Sequence, residues 1–307
     1  MKGTHNALPD KRNEDIIISI NDELYRRTEA KISVFDSGYL VGDGVWEAFR
    51  LHKGSLVFLD MHMDRLWQGA KAIGMKLPFN REELEKMIWT TLEANQMNDQ
   101  VHVRLMVTRG IKKTPSQDPR LTISGPNVVI IPEYKVADAS VRDQGISLFT
   151  STIRRGAPDY LDPKLNCHSK LHEVQALVQA LEAGADEALM LDIHGFVATC
   201  NATNFFMVKD HEVWTSTGAY CMNGITRGHV IELCNRFGLV CSEKNFSLVD
   251  VYDADEAFVT GTFGGLTPVV KIDGRIIGDG LQGEMTKKIR DWYDQLIEDQ
   301  VTENGHD

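Results

Sequence analysis

Apolar residues along this 307-residue chain switch between a period of two and a period near 3.6, and the switches mark its elements. Ile16 to Ile20 is a short apolar run that ends in the turn signal Asn21-Asp22. Val45 to Leu51 and Ser55 to Phe58 flank His52-Lys53-Gly54 and predict a hairpin. Met61 to Ile73 carries apolar residues at helical spacing with Asp60 as its N-cap, and Arg81 to Ala94 is a second helix. Val101 to Thr108 and Asn127 to Pro132 predict strands, joined by a Pro-, Ser- and Lys-rich surface loop over Lys112 to Gly125. Glu133 to Asp143 is polar and reads as a linker. Beyond it, strands (Ile146 to Ser151, Glu187 to Leu191, Asn204 to Val208) mix with helices (Lys170 to Ala183, Thr226 to Phe237, Gly283 to Leu296). The pattern predicts an α+β protein: a loose tail over residues 1–14, a small domain over 15–134, a larger one over 135–307, and a ligand cleft between them.

Composition narrows the function. Lys+Arg 33 against Asp+Glu 44 leaves a net charge of −11, which argues against a nucleic-acid partner but not against small anions held by local arginines. No apolar run is long enough to span a bilayer, and no signal peptide opens the chain. Cys167, Cys200, Cys221, Cys234 and Cys241 show no metal-ligand spacing, so no metal is expected; the odd, scattered set reads as reduced thiols in a cytoplasm.

Four patches carry candidate chemistry. The first is Val34 to Glu47, containing Gly42-Asp43-Gly44, followed by His62-Met63-Asp64-Arg65-Leu66. The second is Gly224-Ile225-Thr226-Arg227, a helix start whose free amides suit a phosphate. The third, Thr260 to Val269, offers small hydroxyl and glycine residues after a strand, a second anion-binding nest. The fourth runs through Gly184 to Ala188, Asp192 to Val197 and Asn204 to Phe206. Taken singly each has a bland reading: a turn, a solvated arginine, an ordinary helix start.

Their order and spacing together resemble the class IV aminotransferases, which include branched-chain aminotransferase, D-amino acid aminotransferase and aminodeoxychorismate lyase. The resemblance runs from about Ile16 to about Trp292, and Gly42-Asp43-Gly44 with Val107-Thr108-Arg109-Gly110 is most similar to the D-amino acid branch. It implies a two-domain fold, usually in a homodimer, that binds pyridoxal 5′-phosphate and moves an amino group between an amino acid or amine and a 2-keto acid. Arg65, Ile225, Thr226 and Thr262 match the family's phosphate ligands. Glu47, Arg50, Arg104 and Arg109 match its substrate side, where an arginine could take a carboxylate bidentately. Arg104 and Arg109 are an odd number of residues apart on a predicted strand, so only one of them is expected to point into the site.

The resemblance breaks where the chemistry needs a lysine amine. Counting back without gaps from Gly184 puts Asn166 on the family's Schiff-base lysine, and Thr199 stands where the family has the glutamate that pairs with the pyridine nitrogen. A threonine there offers only an ordinary hydrogen bond. Three readings remain open. Lys170, one helical turn beyond Asn166, could supply the amine. Lys164 could do so if a local insertion restores the register. Or no lysine does, leaving a pseudo-enzyme or a different catalyst that binds pyridoxal 5′-phosphate, another phosphorylated ligand or nothing. Among enzymes the runner-up to a transaminase is a pyridoxal-phosphate-dependent lyase like aminodeoxychorismate lyase. His168 and His172 lie close enough in sequence to relay a proton.

Overall fold

A computed structural model describes residues 3–304 and divides the chain into two compact units. The smaller unit holds residues 9–136, 166–169 and the end of the C-terminal helix; the larger holds residues 3–8, 137–165 and 170–299.

The smaller unit is a six-stranded antiparallel sheet with two helices. Its elements are β1 (Ile17–Ile20), β2 (Glu23–Arg26), the short α1 (Ser37–Val41), β3 (Gly44–His52), β4 (Ser55–Leu56), α2 (Leu59–Ala72), α3 (Arg81–Ala94), β5 (Val101–Thr108) and β6 (Asn127–Tyr134), with strand order β2-β1-β6-β5-β3-β4. Strand alternation sends Val45, Phe49 and Leu51 of β3, Val101, Val103, Leu105 and Val107 of β5, and Val128 and Ile130 of β6 into one core. Met63, Leu66 and Ala70 of α2 and Leu84, Ile88 and Leu92 of α3 complete it. The opposite parity puts Trp46, Ala48 and Arg50 on the other face, beside Met106, Arg104 and His102 in register.

Several expectations need correction. Helix α2 starts at Leu59 behind Phe58, whose φ of 55° breaks the strand before it, so Asp60 is not the N-cap. Its carboxylate sits in the first turn, where it meets the positive end of the helix dipole. Strand β2 follows the turn at Asn21 and Asp22 and had no apolar signal, because it is an edge strand with three of its four residues exposed. The polar stretch after residue 132 is not a bare linker: β6 runs on to Tyr134, and α4 (Ala139–Gln144) follows, capped by the Asp138 side chain. The N-terminal residues are tied down from Thr4, which is buried, and Lys11–Asp15 form a 3-10 turn.

The larger unit is a nine-stranded mixed sheet. After α4 come β7 (Ile146–Thr150), α5 (Leu171–Glu182), β8 (Glu187–Leu191), β9 (Val197–Cys200), β10 (Asn204–Lys209), β11 (Glu212–Thr215), α6 (Ile225–Arg236), β12 (Cys241–Glu243), α7 (Leu248–Tyr252), β13 (Glu256–Gly261), β14 (Gly265–Ile272), β15 (Arg275–Ile276) and α8 (Glu284–Asn304). The order is β12-β11-β10-β13-β14-β7-β8-β9, with β15 on β14; the β11–β12, β14–β7 and β7–β8 pairs are parallel. Leu148, Leu189, Phe205, Met207, Val259 and Val269 centre its core.

Leu105 of β5 is fully buried in the core of the smaller unit. Leu105→Ala is expected to lower stability by about 2–5 kcal/mol. Urea unfolding checks this; a loss under about 1 kcal/mol would contradict the packing described.

Candidate active site

In the smaller unit, β3 places Glu47 against α2, where it meets His62 and Arg65, three residues apart on one helical face. Arg65 donates from Nε to Glu47 Oε1 at 2.7 Å and from Nη2 to Oε2 at 2.7 Å, and His62 Nδ1 lies 2.7 Å from Oε2. Glu47 and His62 are each 1% exposed. Burial alone would raise the Glu47 carboxyl, but the bonds from Arg65 and His62 outweigh it and hold the group below its ordinary 4.5. Burial pushes His62 the other way, below its usual range, which favours the neutral ring. The sequence sets Glu47 on the substrate side; in the structure both of its oxygens are taken, by Arg65 and His62. His62 stands in the first candidate patch without a role, although its spacing from Arg65 carries the signal. The remaining guanidinium nitrogen, Arg65 Nη1, is buried with no hydrogen-bond partner. An unmet buried donor of this kind costs about 1–3 kcal/mol, and an anion is an acceptor of the kind it lacks.

The larger unit carries the other phosphate candidates. Helix α6 begins at Ile225 behind Gly224, and no side chain caps it, so its first amides have no intrahelical acceptor. A Cβ on Gly224 would come within 2.4 Å of Asn204 Oδ1, which holds the position to glycine. Thr226 is 2% exposed, with Oγ1 3.2 Å from Tyr293 Oη. Thr262 lies in the half-exposed turn between β13 and β14. Thr199, on β9, is buried and donates its hydroxyl proton to the Thr203 carbonyl at 2.8 Å. Its oxygen therefore presents lone pairs and no charge. Asn204 Nδ2 bonds the Met222 carbonyl at 2.9 Å.

The two arginines of the β5 segment part company. Arg109 donates from Nε and Nη2 to Asp43 at 2.6 and 2.9 Å and reaches the carbonyls of Ile73 and Gly74, at the end of α2. Arg104 lies on the other face, its guanidinium 3.9 Å from the centre of the Trp46 ring. It makes no ion pair among the described residues, while Arg109 is fully engaged. Arg50 shares the Arg104 face but pairs with His102 in the ladder.

The segment singled out around Asn166 is strapped to β3. Asn166 Nδ2 donates to the Trp46 carbonyl at 2.7 Å, and the Trp46 amide donates to the Asn166 carbonyl at 3.0 Å. Trp46 Nε1 bonds the Cys167 carbonyl, His168 Nε2 lies 3.2 Å from the Val45 carbonyl, and Ser169 Oγ donates to that of Gly42. The Asn166 Oδ1 is buried with no partner. At Lys170 the chain enters the larger unit, where Lys170 is the N-cap residue of α5. Its Nζ lies 3.6 Å from Glu173 Oε1 and its side chain is 29% exposed. Lys164 is exposed, and no carboxylate pairs with it among the described residues. His172 stands against Arg155 and Glu173. No cluster of three or more His, Cys, Asp or Glu suits a metal, and no helix is long and apolar enough to cross a membrane, among the described residues.

Acid should weaken the Glu47 cluster. Its folded-state pKa lies below 4.5, so its stabilisation is fully present above that pH and is lost as pH falls through the folded value. At neutral pH Glu47→Gln is expected to lower the melting temperature, because it breaks a buried pair. The gap to the unsubstituted protein should narrow from pH 7 to pH 3; a gap that stays constant contradicts a charged Glu47.

Comparison with known proteins adds a family to this geometry. Residues 44–272 match the family model Amino-transferase class IV. The chain is 41% identical over 294 residues, 95% of its length, to branched-chain-amino-acid aminotransferase-like protein 2 of Arabidopsis thaliana. It spans about half of that plant relative, 52% of its length. It is 31% identical over 274 residues to the D-alanine aminotransferase of Bacillus licheniformis, covering 89% of this chain and 94% of that one. Among solved structures, a T.th. branched-chain amino acid aminotransferase with pyridoxamine 5′-phosphate superposes with a TM-score of 0.86 at 28% identity, over 92% of this chain and 94% of that one.

Proposed function

Since this chain belongs to the class IV aminotransferase family, whose members use pyridoxal 5′-phosphate, we propose that it binds this cofactor and moves an amino group between an amino acid or amine and a 2-keto acid. The observation that carries the reading is Arg65: two of its nitrogens are fixed by buried Glu47, and the third is buried without an acceptor. A phosphate oxygen is the acceptor such a nitrogen lacks. The uncapped start of α6 suits the same charge. By the family resemblance, Ile225, Thr226 and Thr262 join Arg65 as the proposed phosphate ligands.

When bound, the cofactor supplies an aldehyde to take up the amino group and a ring to draw electrons from Cα. The chain supplies the rest. Lys170 is the proposed amine that holds the cofactor and moves the proton at Cα, because it is partly buried and held by Glu173, whereas Lys164 points to solvent. Arg104 is the proposed carboxylate ligand, since Arg109 is committed to Asp43. Thr199 can accept a hydrogen bond but brings no charge, so the ring here is a weaker electron sink than one facing a carboxylate. A homodimer, and a reducing compartment suited to five free cysteines, belong to the same proposal.

A second reading, cofactor binding without transfer, is favoured by Asn166, whose Nδ2 is spent on the Trp46 carbonyl. Amine transfer that depends on an added keto acid supports the transaminase; product release without an acceptor indicates a lyase, and neither indicates the binder. Arg65→Ala is expected to weaken binding of pyridoxal 5′-phosphate about 10- to 100-fold, the loss of one or two charge-assisted bonds. Absorbance titration reads this, and an unchanged affinity would remove Arg65 from the phosphate site.

A further inference from the structure

The larger unit holds a buried charge cluster of which the reading above uses only the contact between Lys170 and Glu173. Arg155, just after β7, is 4% exposed; its Nη1 donates to Glu173 Oε1 at 2.7 Å and stands 2.9 Å from His172 Nε2, and its Nε reaches the Tyr220 carbonyl at 3.3 Å. The Arg155 amide bonds the Leu191 carbonyl, which fixes the base of the side chain to β8. Glu173 is 8% exposed on the first turn of α5. The same oxygen that accepts from Arg155 faces Lys170 Nζ at 3.6 Å, and His172 Nδ1 is 2.9 Å from the other. The charged and titratable groups facing Glu173 are thus His172, Lys170 and Arg155. Beyond them His194 Nε2 meets Tyr220 Oη at 3.2 Å.

The arrangement is asymmetric. Arg155 cannot lose its proton, so Glu173 stays neutralised whatever Lys170 does. Deprotonating Lys170 therefore leaves no unpaired buried carboxylate, a state that would otherwise be costly. Glu173 also fixes where Nζ sits, since the two are three residues apart at the helix start. We propose that Glu173, anchored by Arg155, is the positioning residue for the Lys170 amine: it orients Nζ, while Arg155 keeps the carboxylate paired when the Lys170 proton leaves. The inference rests on Lys170 being the cofactor-binding amine.

Trace acetylation of the cofactor-free full chain with acetic anhydride across pH 6–11, read by peptide mass spectrometry, gives a titration midpoint for each lysine. Glu173→Gln keeps the shape and removes the charge, so the Lys170 midpoint is expected to fall by about one pH unit while the other lysines stay in place as internal references. Glu173→Asp, which withdraws the charge by one methylene, should fall between the two. A folded Gln variant with an unmoved Lys170 midpoint overturns the proposal. If the Gln variant does not fold, the Asp variant decides alone, a lowered midpoint supporting and an unmoved one overturning. A parallel arm tests the functional reading separately: pyridoxal 5′-phosphate should protect Lys170 from acetylation in the unsubstituted chain. Absence of protection overturns Lys170 as the cofactor amine, whichever way the titrations fall.

Discussion

The buried carboxylate of Glu47 is the constraint on which the candidate site depends. A charge 1% exposed is tolerable only if its partners are fixed, and Arg65 and His62 meet both of its oxygens. That requirement sets the register of α2 against β3 and aims the unused edge of Arg65. An arginine on a solvated helix would spend rotamer entropy on gripping an anion. One already clamped by a buried carboxylate has lost that freedom on folding and binds as a preorganised group.

The same strand organises the segment around Asn166. With Nδ2 and its carbonyl both tied to Trp46, Asn166 behaves as a structural residue stitching the segment to β3. A lysine there could not make the bond that Nδ2 donates in that geometry without giving up its reach. On the proposed reading Asn166 stands in the lysine position as a structural residue, and the amine falls to Lys170, whose side chain is partly buried and faces Glu173. Thr199, proposed to face the pyridine nitrogen, likewise offers only a hydroxyl, already committed to the Thr203 carbonyl.

Much of the fold was legible because periodicity survives into structure. Arg81–Ala94 and Val101–Thr108 lie where the pattern put them, since each has a clear apolar face and, for the helix, an Asn80–Glu83 capping box. What escaped lacked such a signal: the polar edge strand β2, the six-residue α4, and the left-handed Phe58 that starts α2. In the site, the type of each charged residue was readable but its direction was not. Glu47 shares parity with Val45, Phe49 and Leu51, so alternation already pointed it into the core, against its assignment to the substrate side. Glu173 and Arg155 were invisible because their pairing joins residues 18 apart through tertiary packing.

The central claim is that a class IV aminotransferase chain without a lysine at Asn166 still fixes its cofactor through Lys170. Borohydride reduction of the full chain with pyridoxal 5′-phosphate, followed by peptide mass spectrometry, tests it most directly. The account predicts one phosphopyridoxyl group per chain, on the peptide carrying Lys170. A group on Lys164, or none at all with the cofactor phosphate still bound, would contradict it.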